Sequence, residues 1–310
     1  MQTRGTPAGL APANGLDGAM TEFLQIMLNG VAAGSGYALM GIAMVIIYKT
    51  SEVVNFAQGE MALASVFFTY MILQNYGIPF VYAMPLAALF AVFVGCVLEF
   101  AVLRRARRQT TLGMIIVTIG LEMILMGLVS WKFGADHKVM PFPITEFESI
   151  WLAGFYVTTL EAVTFSVVWA VMLGLFVFYR CTRLGLIMKA TQQNRSAAKL
   201  MGVRTNRVLM FTWGLSSLVG CIAGLLLAPR SMEPFMMWDP MLKGFAGAVV
   251  GGMTSIPGAV FGAYFIGIVE NLFGRYASME FKSAVAFALI VIVLCVKPSG
   301  IFSRHYVKKV

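Results

Sequence analysis

The chain has 310 residues, 59 % of them hydrophobic and only 12 % charged, with a formal net charge of +9 and a mean hydropathy of +0.82. A soluble protein of this length needs far more polar residues to cover its surface, so the composition excludes one and marks a polytopic membrane protein. Nor does the positive balance indicate nucleic acid: Lys and Arg stand in short blocks between apolar runs, without a dedicated basic domain, so the charge is topological.

Residues 1–18 are rich in Ala, Gly and Pro and lack an apolar core of signal-peptide length, whereas Met20 opens an amphipathic start. Residues 1–20 are expected to be a disordered extension or to precede the true start, and 21–310 to form a single transmembrane domain. The first span, 23–48, carries Gly30-x-x-x-Gly34, which lets one face approach a neighbouring helix closely. Next, Asn55-Phe-Ala-Gln-Gly-Glu60 puts three strongly polar side chains and a glycine at the mouth of an apolar run, 61–73, barely long enough to cross. Such a segment cannot face lipid. Residues 80–103 and 112–131 are full spans separated by Arg104-Arg-Ala-Arg-Arg108, with Glu122 inside the second. The polar interval 132–161, holding Asp136, Glu146, Glu148, Pro141 and Pro143, is expected to be an external loop with one short interfacial helix at most. Residues 162–179 span again.

Residues 181–204 are the one long polar, cationic and acid-free interval, and they read as a helix. Gly185 can start it, Ala190, Asn194, Ala197, Ala198 and Met201 recur at three- and four-residue steps, and Gly202 supplies a left-handed residue that stops it. A small-residue stripe flanked by Arg and Lys suits docking into a partner's groove; the same pattern also suits a basic loop held at the cytoplasmic headgroups. Residues 208–227 span, with Gly220-x-x-x-Gly224, and 229–240 form a polar loop with Glu233, Trp238 and Asp239. Residues 243–273 are two apolar pieces hinged at Ser255-Ile-Pro-Gly258, flanked by Gly247-x-x-x-Gly251 and Gly258-x-x-x-Gly262. Residues 283–296 precede Lys297-Pro-Ser-Gly-Ile-Phe302 and a basic tail. The expected fold is all-α, a bundle of about eight or nine membrane segments that includes short or broken helices.

The blocks 104–108, 180–207 and 297–310 hold fifteen of the 23 Lys and Arg residues and no acid, which places all three in the cytoplasm. Between the second and third blocks the chain crosses an even number of times, so the hinged piece crosses twice or not at all. A full span needs about 20 residues, and a broken or re-entrant helical pair is the economical solution. With the similarly short Asn55 segment it suggests two related halves, each with one defective helix, as transporters build a midplane pathway.

No phosphate-binding loop or zinc pair is present, and the two histidines, His137 and His305, fall in a loop and a tail, so no cofactor or metal is called for and no enzyme activity. Cys96, Cys181, Cys221 and Cys295 fall singly, without disulfide or CxxC spacing. The 22 methionines read as flexible packing. Intramembrane acids cost about 2.5–3.5 kcal/mol each at the bilayer centre. Glu99 has Arg104 nearby at headgroup level and Glu270 has Arg275, while Glu122 has no evident partner. Glu60, grouped with Asn55 and Gln58 beside Gly59, is the best candidate for function, although capping of the short helix by Asn55 explains part of the cluster.

The Asn55 to Glu60 motif, the series from Thr182-Arg-Leu-Gly185 through Asn194 to Gly202, Gly251-Gly-Met-Thr-Ser-Ile-Pro-Gly258 and Lys297-Pro-Ser-Gly-Ile-Phe302 together resemble the branched-chain amino acid ABC transporter permease family. The match runs in order from about residue 23 to 302. The resemblance implies a permease domain at 21–310 and one of two inner-membrane permease subunits of an importer. Its partners would be a second permease, cytoplasmic ATP-binding subunits, a periplasmic solute-binding protein and membrane lipid. The family's coupling helix maps onto Arg183, Gly185, Ala190, Asn194, Ala197, Ala198 and Gly202. The expected solute path takes Asn55, Gln58, Gly59, Glu60, Ser255, Pro257 and Gly258. Gln58 stands where His is frequent in the family, and related members serve urea and short amides. The rival reading is a self-sufficient secondary transporter or channel using Glu60 or Glu122 as an ion site, which would need no docking helix around Asn194.

The charge count predicts that cysteines placed at Arg105, Arg195 and Lys308 react with an impermeant thiol reagent only from the cytoplasm, and those at Glu146 and Asp239 only from outside. Cytoplasmic labelling at position 146 would overturn this topology.

Overall fold

The computed structural model describes residues 15–106, 110–143, 149–152, 155–230, 232–297 and 300–302. The expected extension up to residue 14, the acids Glu146 and Glu148 and the basic tail 303–310 lie outside them. In chain order the helices are α1 (Gly15–Ser51), α2 (Gln58–Tyr76), α3 (Phe80–Leu98), a π-helical turn (Glu99–Leu103) with its short continuation α4 (Arg104–Ala106), and α5 (Thr111–Phe133). They continue with α6 (Thr159–Cys181), α7 (Arg183–Gln193), α8 (Arg195–Leu200), α9 (Thr205–Leu227), α10 (Trp238–Gly251), α11 (Ile256–Tyr276) and α12 (Ala284–Val296). Among the described residues six are long and apolar enough to cross a membrane; with the shorter α2, α10 and α12 they agree with the expected bundle of about eight or nine segments.

Helix α1 is the axis. Its 37 residues span about 55 Å at 1.5 Å per residue, and residues 34–47 are buried without interruption, the mark of a helix enclosed on every side. Against it pack α11, α10, α9 and α6; α2 and α3 form a second layer on α9, α5 leans on α2, and α12 closes over α10 and α11. Small residues permit this. A Cβ on Gly30 would come within 2.6 Å of the Ile268 Cα, and one on Gly34 within 2.9 Å of the Tyr264 Cα. The motif Gly30-x-x-x-Gly34 therefore marks the seam between α1 and α11, where backbones touch. Gly220 and Gly224 of α9 receive Gln58, Ala62 and Val66 of α2 in the same way.

Two expectations change. The hinged piece is an antiparallel pair, α10 and α11, interlocked through Gly247, Gly251, Gly258 and Gly262. Helix α11 is full length, so the shortfall falls on α10, whose 14 residues reach only about 21 Å. Among the described residues of the polar interval 132–161 lies a hairpin, β1 (Ser149–Leu152) paired antiparallel with β2 (Phe155–Thr158), where a short interfacial helix was expected. Its β-branched and aromatic composition favours strands, and the Gln25 side chain of α1 secures it, accepting from the Tyr156 N–H at 3.0 Å and donating to the Tyr156 carbonyl at 2.7 Å.

If backbone contact at these glycines holds the bundle together, one methyl group decides the outcome by position. Gly267→Ala, which meets the Gly34 Cα at 2.8 Å, should cost about 1–3 kcal/mol as overpacking and lower the detergent melting temperature. Gly127→Ala, with nothing within 4 Å, should leave it unchanged.

Candidate functional site

The end of α1 and the start of α2 bracket an unwound stretch whose turn is closed by polar side chains. Helix α1 stops with Glu52 in the left-handed region, φ 57°. The Asn55 Oδ1 then accepts the Ala57 N–H at 3.1 Å, so Asn55 closes the turn before α2 and does not cap α2 itself, whose N-cap is Ala57. The Asn55 amide donates to Gln58 Oε1 at 3.3 Å, and Gln58 Nε2 donates to the Ser216 carbonyl of α9 at 3.2 Å. The Ser216 hydroxyl lies 2.9 Å from Gln58 Oε1 and 2.7 Å from the Ala43 carbonyl of α1. Phe56 N–H reaches the Thr118 hydroxyl of α5 at 3.4 Å. Thus α1, α2 and α9 meet around the buried Gln58 amide and the Ser216 hydroxyl, and α5 joins through the neighbouring Phe56 N–H. Asn55, Gln58 and Glu60 are all buried, and Glu60 Oε2 has no hydrogen-bond partner among the described residues. Glu122 of α5, also buried, is within electrostatic range of it.

The Ser255 to Gly258 hinge does not join this cluster. Gly59 instead faces Met237 and Met241 at the start of α10, its Cβ position lying 3.1 Å from Met241 Sδ. Ser255 caps α11, accepting the Gly258 N–H at 3.1 Å, with Pro257 in the first turn and Gly258 against Gly251 and Phe302. Ser255 and Pro257 share a cleft with Tyr48 and Lys49, about 9 Å along α1 from Ala43 at the helical rise. The reason is local. Ser followed by Pro and a free glycine N–H is a helix-start signal, and it marks an end of α11, not a break at its midpoint.

The acid-free interval folds as two helices, α7 and α8, in place of the single one expected, because Asn194 is extended (φ −153°, ψ 103°) and its Oδ1 accepts the Ala197 N–H at 2.9 Å. Thr182 caps α7 through the Gly185 N–H at 2.9 Å. Gly202, φ 84°, ends α8 with the Val203 N–H on the Ala198 carbonyl at 3.0 Å, the helix-stop geometry expected of it. Arg183, Ala190, Asn194, Ala197 and Gly202 face outward; Gly185 and Ala198 do not. Gly185 lies against the Phe178 carbonyl and Tyr179 where α7 folds back on α6, and Ala198 is buried against the bundle. The pattern of small residues understated the surface: Leu200 and Met201 are 88 % and 85 % exposed, with Leu186 outward as well.

A second polar centre went unread in the sequence. Lys243 of α10 donates to Glu270 of α11 at 2.5 Å and to the Tyr37 hydroxyl at 3.4 Å, and lies 2.7 Å from Asp239. Glu270 therefore pairs with Lys243, not with Arg275, which bonds Glu22 of α1 at 2.8 Å. A lysine within an apolar, glycine-rich helix was the available signal, since it requires an acid across the interface.

The family described as branched-chain amino acid transport system, permease component, matches residues 26–294. The high-affinity branched-chain amino acid permease LivH of Escherichia coli K12 is 33 % identical over 304 residues, 93 % of this chain and 98 % of that one. BraD of Pseudomonas aeruginosa is 28 % identical with the same coverage, and a probable LivH of Methanocaldococcus jannaschii is 26 % identical over 85 % of this chain and 87 % of its own. The chain belongs to this permease family. It is a multi-pass inner-membrane protein, related to transporters and not to enzymes.

In the permease, the Lys243–Glu270 pair ties the start of α10 to the later part of α11, beyond the glycine contacts that join the two helices. Glu270→Ala leaves the buried Lys243 ammonium with only the half-exposed Asp239 and should cost about 2–3 kcal/mol, whereas Lys243→Met combined with Glu270→Leu should recover most of it. Thermal unfolding in detergent checks both; equal stability of all three proteins would show that the pair holds nothing.

Proposed function

We propose that this chain is one of two permease subunits of an ABC importer for branched-chain or related amino acids, fed by a periplasmic solute-binding protein and driven by cytoplasmic ATP-binding subunits. The solute class rests on kinship with LivH and BraD. The outward face of α7 and α8 carries the coupling assignment: a basic helix pair presenting Leu186, Leu200 and Met201 to water is an apolar anchor in need of a partner. A self-sufficient ion-driven transporter has no use for it.

Helices α7 and α8 rest on α9, and α9 supplies Ser216 to the unwound stretch before α2. Movement imposed on the helix pair by a closing ATPase is thereby delivered to Gln58, Gly59 and Glu60, the first turn of α2, and to the irregular backbone of residues 52–57 just before it. Irregular backbone at membrane depth is tolerated only inside protein or along a watery cavity. We assign Asn55, Gln58, Gly59 and Glu60 to the solute path; Ser255 and Pro257, which line a separate cleft beside Tyr48 and Lys49, fall outside it together with Gly258.

Leu200→Asp and Met201→Asp should each cost roughly 2 kcal/mol or more at the docking contact, abolishing co-purification of ATP-binding subunits while leaving the melting temperature unchanged. Ala197→Trp should do the same; Ala198→Trp, by contrast, should damage the fold. Undiminished co-purification and uptake with Leu200→Asp, Met201→Asp and Ala197→Trp would remove the coupling role.

Within the path, Glu60→Gln should reduce uptake several-fold and leave solute binding by the receptor protein unaffected. Normal uptake would make the cluster a packing feature.

A further inference from the structure

A cleft of about 1510 Å³ opens between α1, α6, α7 and the turn joining α10 to α11. Two kinds of wall meet in it. Lys49, Arg180 and Lys189 line one part, and Trp169, Leu173 and Phe176 of α6 line another. Among the described residues the lining has a single acid, Glu52. Aromatic rings hold two of the cations in place: Lys49 Nζ lies 5.4 Å from the Tyr179 ring centre and the Arg180 guanidinium 5.7 Å from that of Phe176. The Tyr179 hydroxyl and the Gln192 amide nitrogen also line the cleft, buried and without a hydrogen bond of regular geometry. Leu173 and Phe176 remain exposed at 63 % and 57 %, so the apolar wall continues onto the membrane-facing side of α6.

We infer that this cleft is a binding site for an anionic phospholipid of the cytoplasmic leaflet. A small soluble anion would match the cations and leave the apolar wall wet, and a zwitterionic lipid would match the wall and leave three positive charges against one negative. An anionic lipid satisfies both: its phosphate sits among Lys49, Arg180 and Lys189, and one acyl chain lies along Trp169, Leu173 and Phe176. Basic pockets between helices at the cytoplasmic surface attract such headgroups, and the cationic interval 180–207 puts this one on that side. Because Lys189 and Gln192 belong to α7, the lipid would also brace the helix pair against α1 and α6. This inference does not depend on the solute or on the ATPase contact.

Native mass spectrometry of the purified full chain, titrated in detergent with phosphatidylglycerol or phosphatidylcholine of identical chains, tests it. Phosphatidylglycerol should bind at least about tenfold more tightly, and soluble glycerol phosphate in excess should not displace it. Lys49→Gln combined with Arg180→Gln should abolish the preference, while Lys199→Gln, an exposed change on α8, keeps it. Leu173→Trp narrows the apolar wall without altering charge and should weaken phosphatidylglycerol binding, which keeps the test open should the charge variant fail to fold. Equal retention of the two lipids, displacement by glycerol phosphate, unchanged preference in the folded double variant, or a protein chain cross-linked through position 173 would each overturn the assignment.

Discussion

Direct backbone contact between α1 and its neighbours is the constraint on which the rest of the structure depends. Lipid tails are as apolar as leucine, so helices in a membrane gain little by hiding apolar side chains from one another and associate by close packing. Glycine removes the side chain that would hold the axes apart. Gly30 and Gly34 against α11, Gly41 against Gly244 of α10, and Gly220 and Gly224 against α2 all serve this end. With its middle sealed on every side, α1 is the reference to which every polar element is attached.

That enclosure explains where polarity is tolerated. The unwound residues before α2 lose helical hydrogen bonds, and Asn55 of the loop itself with Gln58, Ser216 and Thr118 from three helices replace them. Lys243 and Glu270 neutralise each other within another seam of the same core. Each polar group is thus held by more than one element, and displacement of one helix must disturb its neighbours. In a permease, such shared attachment carries a shift of one helix into the interior.

At that surface, the helix pair interrupted at Asn194 and the cleft beside it share α7. One face of α7 and α8 exposes apolar and basic groups, and the other contributes Lys189 and Gln192 to the cleft against α1 and α6. The helix pair proposed to couple to a partner is therefore the same one that walls the cleft.

Much was legible in order. Composition determined the membrane class and a bundle of about eight or nine apolar segments, because hydrocarbon thickness acts on the chain residue by residue. Glycine spacing marked the seams, and the Asn55 to Glu60 cluster was found because polar groups at the mouth of an apolar run demand internal partners. The sequence by itself could not say which seams face each other. It paired Glu270 with the nearby Arg275, while the folded chain brings Lys243 from 27 positions away; it joined the Asn55 segment to Ser255, while Gly59 meets Met237 and Met241. Charge and hydropathy are properties of a stretch of chain, but the partner of a buried group is whichever helix packs against it, and only the tertiary structure decides that.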